Sequence, residues 1–161
     1  MNNYEIVVKR GYNITEGFIM SNEHKSSWKS KSSLHVMPWG SEIRWAATAG
    51  CNGKCLSINK GMRTSLKYYR LKDEVLFVYK GKILVTHGDE KTLDYPETHP
   101  FANSVLHPGE MLVVQSMCPY RIEALEDAEV IEIGNKASVY DVVMLEDDFG
   151  RVEKDSSVKE I

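Results

Sequence analysis

Residues 61–81 have the sequence GMRTSLKYYRLKDEVLFVYKG, which begins and ends with glycine. Between the glycines, two segments with alternating apolar and polar side chains flank the acidic residue Glu74. This pattern is typical of two short strands bounded by turns. A second stretch, residues 109–124, has the sequence GEMLVVQSMCPYRIEA and also opens with glycine. The two stretches therefore predict pairs of short strands in a β-rich fold.

Both stretches keep the spacing of the two cupin motifs. The first motif, G-x5-H-x-H-x4-E-x6-G, fits residues 61–81 without a gap, and it places Lys67 and Tyr69 at its two histidine positions and keeps Glu74. In the second motif, G-x5-P-x-G-x2-H-x3-N, only the opening glycine is kept, and Tyr120 stands at the histidine position. The chain therefore resembles a cupin, and the resemblance implies an all-β fold, the cupin jelly-roll β-barrel or double-stranded β-helix.

The rest of the chain also has the pattern of short strands separated by turn signals, which favours an all-β sandwich or barrel. Residues 140–145 fit either a last strand or a short helical turn. We expect an N-terminal strand and polar connection over residues 1–35, a cupin domain over 36–151 and a polar tail over 152–161. The predicted strands are Glu42–Thr48, Lys54–Asn59, Arg63–Tyr69, Glu74–Tyr79, Lys82–Thr86, Met111–Val114, Tyr120–Leu125 and Glu129–Ile133.

Length and composition place the chain among ordinary globular proteins. Its 161 residues suffice for one domain with a sizeable core. Apolar residues make up 42% of the chain and charged residues 27%, and the net charge is −3. This balance gives no argument for nucleic-acid or membrane binding, and no apolar run approaches the roughly 18 residues that span a bilayer.

The cysteines and the N-terminus indicate a reducing compartment. Residues 1–10 form an amphipathic segment without the apolar core of a signal peptide, and the chain has three cysteines. We therefore expect a cytoplasmic protein with free thiols. Cys51 and Cys55 lack the further Cys or His pair of a zinc site. The Asn52-Gly53 dipeptide between them predicts a type I′ hairpin turn.

The residues at the expected metal positions are poor metal ligands. Three of the four positions hold an ammonium group or a neutral phenol, at Lys67, Tyr69 and Tyr120. We therefore expect no metal and no other cofactor at this site. The Lys67 ammonium is expected to lie beside Glu74 and balance its charge, since an isolated buried carboxylate is costly. Tyr69 and Tyr120 would contribute hydroxyl groups.

A run of cations suggests that the barrel binds an anion. Five basic residues and no acidic one occur in residues 60–72, and alternation places Arg63 and Lys67 on the inner face of their strand. Guanidinium and ammonium groups inside a cleft are typical of a phosphate or carboxylate site. The alternative is a repacked core in which these groups only satisfy one another. The predicted ligand-binding residues are Arg63, Lys67, Tyr69, Lys72, Glu74, Tyr120 and Arg121.

The opposite face of the first motif is apolar and needs a cover. It would carry the side chains Leu66, Tyr68, Val75, Phe77 and Tyr79. Contiguous apolar patches of this kind are uncommon on monomers. Either the N-terminal segment or a second subunit would cover the face. We expect a homodimer, because two-fold pairing is the most common arrangement of identical subunits.

Three segments resemble one group of cupins, the type II mannose-6-phosphate isomerase domains of mannose-1-phosphate guanylyltransferases. Residues 37–40, MPWG, with Glu42 are similar to their K-P-W-G-x-E motif, and residues 60–66 resemble their approach to the first metal motif. Residues 140–151, YDVVMLEDDFGR, are similar to their closing D-I-V-R-x-E-D-x-Y-G-R segment. The resemblance covers residues 36–151 and implies a protein acting on, or descended from proteins acting on, phosphorylated hexoses. Those domains bind their metal with three histidines and a glutamate.

Three functions remain open from the sequence. The first is a metal-free cupin that binds a sugar phosphate or similar anionic small molecule without the isomerase activity. The second is an active sugar-phosphate or nucleotide-sugar isomerase or epimerase with Lys67, Tyr69, Glu74 and Tyr120 as catalytic residues. The third is a structural or interaction domain that uses its apolar outer face.

Overall fold

A computed structural model describes residues 27–47, 50–135 and 141–150 of the chain. Across these ranges the regular structure consists of strands, and no helix there is long and apolar enough to cross a membrane. The predicted N-terminal strand at residues 1–10 and the predicted tail at 152–161 lie outside the described residues. The strands are β1 Ser33–Met37, β2 Gly40–Ala47, β3 Cys51–Ile58, β4 Leu66–Tyr69, β5 Glu74–Lys80, β6 Ile83–His87, β7 Ala102–Leu106, β8 Met111–Val114, β9 Tyr120–Ala124, β10 Ala128–Asn135 and β11 Val142–Glu146.

The strands form two antiparallel sheets. The larger sheet has six strands in the order β1-β2-β3-β10-β5-β8, and the smaller has five in the order β11-β4-β9-β6-β7. Within each cupin-like motif the chain passes from one sheet to the other, since β4 and β5 lie in different sheets, as do β8 and β9. The two motifs therefore bring both sheets together around one interior.

The core lies between the sheets and takes side chains from both. Along β5, Glu74, Leu76 and Val78 are buried, while the residues between them are more exposed, as the alternation of a strand requires. The predicted inward direction of Glu74 is thus confirmed. The six-stranded sheet contributes Leu56, Ile58, Leu76, Val78, Val114 and Val130 to the core, and the five-stranded sheet contributes Ile83, Val85, Leu106, Ile122 and Ala124.

The glycines that bound the first motif occupy turns that favour glycine. Gly61 has a φ of 78° and Gly81 a φ of 75°, both in the left-handed region. A Cβ atom on Gly81 would also lie 2.2 Å from the carbonyl oxygen of Asp127. The spacing of the motif therefore reflects the positions of two tight turns, and it predicts the fold even where the ligand residues have changed.

Several predicted strands are confirmed with shifts of a residue or more at their ends, and one predicted turn is wrong. The predicted turn at Asn52-Gly53 lies inside β3, where Gly53 pairs with Ala46 on one side and Ile133 on the other. In β3, backbone pairing with both β2 and β10 outweighs the preference of the Asn-Gly dipeptide for a turn. Strands β1 and β7 were missed, and the ambiguous segment near the C-terminus is strand β11.

The apolar outer face predicted for the first motif is divided between the two sheets. Leu66 and Tyr68 lie on β4 in the five-stranded sheet, whereas Val75, Phe77 and Tyr79 lie on β5 in the six-stranded sheet. These five side chains therefore do not form one patch. The reason is the crossing between sheets inside the motif, which strand alternation alone does not reveal.

Candidate functional site

A cavity of about 150 Å³ opens between the two sheets. Its apolar wall includes Trp39, Leu56 and Ile122. Its polar wall includes Glu42, Arg44, Lys54, Lys67, Tyr69 and Glu132. Most functional side chains predicted from the motifs lie at this cavity or directly beneath it.

A fully buried cluster of charges lies at the base of the cavity. Lys72 donates hydrogen bonds to both Glu74 and Glu132, and its Nζ is 2.6 Å from Glu132 Oε1. The side chains of all three residues are at most 1% exposed. The hydroxyl group of Tyr120, itself wholly buried, donates to the second oxygen of Glu74. Each buried charge therefore has an opposite charge in contact with it, as burial in a low-dielectric interior requires.

The turn between β4 and β5 directs Lys72 inward. The backbone amide of Leu71 donates to Asp141 Oδ1 at 2.9 Å, and the amide of Asp73 donates to Asn135 Oδ1 at 3.0 Å. These bonds fix the residues on both sides of Lys72. On β10, Gly134 provides the space for the lysine, because a Cβ there would lie 2.6 Å from Lys72 Cε and 2.6 Å from the carbonyl oxygen of Asp73.

A chain of alternating charges leads from the buried cluster to the surface. Lys54 Nζ lies 3.3 Å from Glu132 Oε1 and 3.9 Å from Glu42 Oε2. Glu42 in turn accepts a 2.7 Å hydrogen bond from Nε of Arg44, whose side chain is 53% exposed. The three carboxylates along this path, Glu42, Glu74 and Glu132, are thus matched by the three cations Arg44, Lys54 and Lys72.

Lys67 stands apart from this pairing. Its half-buried ammonium group donates to the hydroxyl oxygen of Tyr69 at 3.3 Å. It lies 5.1 Å from the ring centroid of Tyr69 and 5.3 Å from that of Tyr120, within the range of cation–π attraction. Among the described residues, no carboxylate oxygen forms an ion pair with Lys67 within 4.0 Å. Lys67 therefore makes no close ion pair in this part of the chain, although its charge lowers the pKa of both Glu74 and Glu132 from a longer distance.

The two carboxyl groups at the base differ in their affinity for protons. Burial raises the pKa of Glu74 above its ordinary value, and the charge of Glu132 raises it further. Burial alone would also raise the pKa of Glu132, but the ammonium groups of Lys67, Lys54 and Lys72 outweigh burial and lower it. The pair therefore takes up its first proton on Glu74 and keeps its negative charge on Glu132.

The two tyrosines of the site are neutral hydrogen-bonding groups at neutral pH. Burial, followed by the charge of Glu132, raises the pKa of Tyr69 to about 12. Burial, followed by the charge of Glu74, raises the pKa of Tyr120 well above its ordinary value. Neither phenol is ionised enough to act as a base near pH 7.

The predicted positive charge near Glu74 is present, since Lys67 lowers the pKa of this carboxyl group, but the lysine in direct contact with Glu74 is Lys72. Lys67 comes from the middle of β4, whereas Lys72 reaches inward from the turn that follows it. The structure brings Tyr69, Glu74 and Tyr120 together around Lys67 and Lys72. Lys72 was predicted as a ligand-binding residue and instead lies beneath the cavity, wholly engaged by two glutamates.

The prediction that Arg63 and Arg121 face the cavity is also wrong. Arg121 alternates with two inward residues on β9, so its side chain points away and donates from Nε to the carbonyl oxygen of Thr64 at 2.9 Å. Arg63 Nη2 lies 2.9 Å from Asp148 Oδ1, and Arg121 Nη1 lies 3.5 Å from Glu146 Oε1. Acidic residues in and just after β11 therefore balance both arginines.

Glu132, Lys54 and Glu42 belong to the site although they lie outside both cupin-like motifs. Glu132 lies between Ile131 and Ile133, and alternation would normally place the isoleucines inward and the glutamate outward. The structure has the reverse arrangement, with Glu132 1% exposed and Ile133 43% exposed. The sequence pattern that pointed to a buried acid was indirect: several cations predicted to face inward require acidic side chains to balance their charge.

The residues at the metal positions of the cupin motifs do not fit a divalent cation. The positions hold one ammonium group and two neutral phenols, and both oxygens of Glu74 already accept hydrogen bonds from Tyr120 and Lys72. Across the three described ranges, no group of three or more His, Cys, Asp or Glu side chains is placed to hold a metal ion.

Comparison with solved structures identifies the fold. No protein-family model and no curated protein matches the sequence. KdgF from Halomonas sp. superposes with a TM-score of 0.55 at 19% identity, over 69% of this chain and 90% of that chain. Oxalate decarboxylase from Lactobacillus farciminis, as its formate complex, gives a TM-score of 0.61 at 15% identity, over 76% of this chain and 38% of that chain. The capsular polysaccharide assembling protein CapF from Staphylococcus aureus gives 0.59 at 15% identity, over 74% and 34%.

These structures are cupin-fold proteins, and the chain has the cupin jelly-roll fold. At identities of 15% to 19%, the likeness concerns the fold and not the chemistry of the site. The resemblance to type II mannose-6-phosphate isomerases stays a prediction.

Proposed function

We propose that this chain binds a small molecule carrying a phosphate or carboxylate group, such as a sugar phosphate, and that Lys67 contacts the anion. The observation that carries the proposal is the charge balance of the cavity. The three carboxylates of the site are matched by Arg44, Lys54 and Lys72, and Lys67 remains without an ion pair among the described residues. An anion beside Lys67 would complete the pairing.

The surroundings of Lys67 favour binding of an anion over simple solvation. The ammonium is half-buried between two aromatic rings, where it has lost part of its contact with water. A charge-assisted hydrogen bond to a phosphate or carboxylate would restore that lost interaction. The cavity of about 150 Å³ suits a small ligand, or the anionic end of one whose remainder extends outward.

Two further considerations support a sugar phosphate as the ligand. The segments 37–42 and 140–151 resemble domains that act on phosphorylated hexoses, and Met37, Trp39, Val142 and Met144 from these segments line the cavity. Among proteins of similar fold, one is a capsular polysaccharide assembling protein, and another holds formate, a small carboxylate. The apolar wall beside Trp39 would accommodate the face of a sugar ring.

Of the two functions that involve a small molecule, binding without isomerisation and active isomerisation, we propose binding without isomerisation. Isomerisation needs a base at the substrate carbon and an electrophile at its carbonyl oxygen. Glu74, the candidate base, lies beneath the cavity with its oxygens bonded to Lys72 and Tyr120. The raised pKa of Tyr120 also makes its phenol a weak acid. Glu42 and Glu132 also line the cavity, but each is paired with basic side chains among the described residues. These pairings favour a site that holds an anion over one that removes a proton.

A thermal-shift and calorimetric comparison tests this function. Mannose 6-phosphate should stabilise the wild-type chain, by about 2.7 kcal/mol when present at about a hundred times its Kd, whereas mannose should not. Lys67→Met should abolish the effect, and Lys60→Met, which removes an exposed cation of the same basic run, should preserve it. Stabilisation that survives in Lys67→Met would contradict the proposal. So would the failure of a panel of sugar phosphates and small carboxylates to stabilise the wild type.

A further inference from the structure

An unbroken row of apolar side chains crosses the outer face of the six-stranded sheet. The strand registers pair each member of the row with the next across all six strands. The charged side chains of this sheet at Glu42, Lys54, Glu74 and Glu132 all point to its other face, toward the interior. The row consists of Leu34, Ile43, Cys55, Ile131, Phe77 and Met111.

A second row lies beside the first. Ile133 pairs with Val75, and Val75 pairs with Val113, while Gly53 continues the row on β3. Neither row contains a charged residue. Lys80 and Glu129, on two strands of the same sheet, form an ion pair with their charged atoms 3.8 Å apart. We call these two rows the outer apolar face.

Five side chains of the outer apolar face are exposed, whereas Cys55, Val75, Phe77 and Ile131 are half-buried. Leu34 is 66% exposed, Met111 61%, Val113 59%, Ile133 43% and Ile43 38%. Strands about 4.8 Å apart and rows about 7 Å apart, together with side chains at the border, give this face a size of about 30 by 20 Å. The resulting area of about 600 Å² lies at the upper end for a patch on a monomer and near the roughly 800 Å² that each partner buries in a standard interface.

We propose that the outer apolar face packs against the same face of a second copy of this chain, related by a two-fold axis. A face without charged residues cannot form ion pairs with a charged partner. It can bury its apolar side chains against the same apolar face of a second copy. Two such sheets can pack face to face as in a β-sandwich, with strands of the two copies nearly aligned. Cys55 would then be buried near the middle of the interface, between Ile43 and Ile131. This inference does not depend on the ligand of the barrel.

Measurement of molecular mass by light scattering tests the proposal. The full chain should have twice the 18.3 kDa of one copy. Ile133→Lys, which places a charge in the outer apolar face, should reduce the mass to that of one copy. Leu71→Lys changes a side chain that is 78% exposed on the turn before β5, and it should leave the dimer intact. Should Ile133→Lys fail to fold, Val113→Lys on the edge strand β8 makes the same test.

Alkylation of Cys55, followed by mass spectrometry, locates the interface. Cys55 should react slowly in the wild type and at least several times faster in the monomeric variant, whereas Cys118, outside this face, should react equally in both. A wild-type monomer would overturn the proposal. If Cys55 were protected in that monomer, the N-terminal segment of the same chain would be its cover. A dimer that persists in both lysine variants would also overturn it, because the interface would then lie elsewhere.

Discussion

Lys67 and Lys72 lie in the same basic run of the sequence but have opposite surroundings in the structure. Lys72 is fully buried and contacts two carboxylates, whereas Lys67 is half-buried between two tyrosine rings. The first lysine is part of what holds the barrel interior together. The second is the group that we propose for ligand binding. Stability and binding should therefore respond to different substitutions.

Substitution of the two lysines separates these roles. Lys72→Ala leaves Glu74 and Glu132 buried with their main cation removed, and it should lower the free energy of unfolding by about 3–5 kcal/mol. Lys67→Ala breaks no close ion pair and should cost no more than about 1 kcal/mol. Chemical denaturation of both variants measures the difference. Equal losses would show that Lys67 also belongs to the structural cluster.

The pH dependence of stability should report the raised pKa of Glu74. A carboxyl group whose pKa is higher in the folded than in the unfolded state stabilises the fold below its unfolded pKa, which is about 4.3, and loses this contribution as pH rises. The wild type should therefore lose stability relative to Glu74→Gln as pH increases above about 4.3. Urea denaturation at a series of pH values gives this difference. A difference that is flat, or that grows in favour of the wild type, would mean that Glu74 is ionised without cost.

The sequence predicted part of this residue-level arrangement. The motif alignment placed Tyr69, Glu74 and Tyr120 near one another, as they are in the structure. Because a buried carboxylate needs a partner of opposite charge, the sequence also predicted a lysine beside Glu74. The charge of Lys67 does act on Glu74, but the direct contact comes from Lys72. The alignment missed Lys72, because it assigns no position to a side chain that enters from a turn. The long flexible stem of Lys72 allows that approach.

At the level of the strands, β10 shows most clearly where sequence patterns fail. Its inward residues include Glu132 and Gly134, while Ile131 and Ile133 face outward. The alternation of apolar and polar residues identifies the buried face only when the other face is in water. If the outer apolar face is an interface, as we propose, both faces of β10 are buried in the dimer. The alternation of apolar and polar residues along β10 then does not indicate which face points to the core.

Gly134 tests how closely β10 is fitted to the charge cluster. Gly134→Ala places a methyl group 2.6 Å from both Lys72 Cε and the carbonyl oxygen of Asp73, so it should destabilise the fold by about 1–3 kcal/mol. Gly50→Ala is the control, because a Cβ at Gly50 meets no atom within 4 Å. Thermal or chemical denaturation compares the two. If Gly134→Ala is as stable as Gly50→Ala, Lys72 is not held against β10.

At the scale of the whole molecule, the fold was more predictable than the function. The glycine positions of the two motifs mark where the chain turns between the sheets, so they indicate the fold although the residues at the metal-ligand positions differ from those of the motif. The division of β4 and β5 between sheets was not predictable from alternation, since strand pairing is a long-range property. The charge balance of the cavity likewise depends on which side chains meet from five different strands and a turn. It could be established only with the structure.

We propose above that Lys67, which stands at a metal-ligand position of the cupin motif, binds an anion in the cavity between the sheets. A crystal structure of the chain with mannose 6-phosphate tests it most directly. We predict a phosphate oxygen within about 3.2 Å of Lys67 Nζ, with Lys72 still bonded to both glutamates. A phosphate bound outside the cavity, or a Lys67 side chain directed into bulk water above an empty cavity, would contradict it.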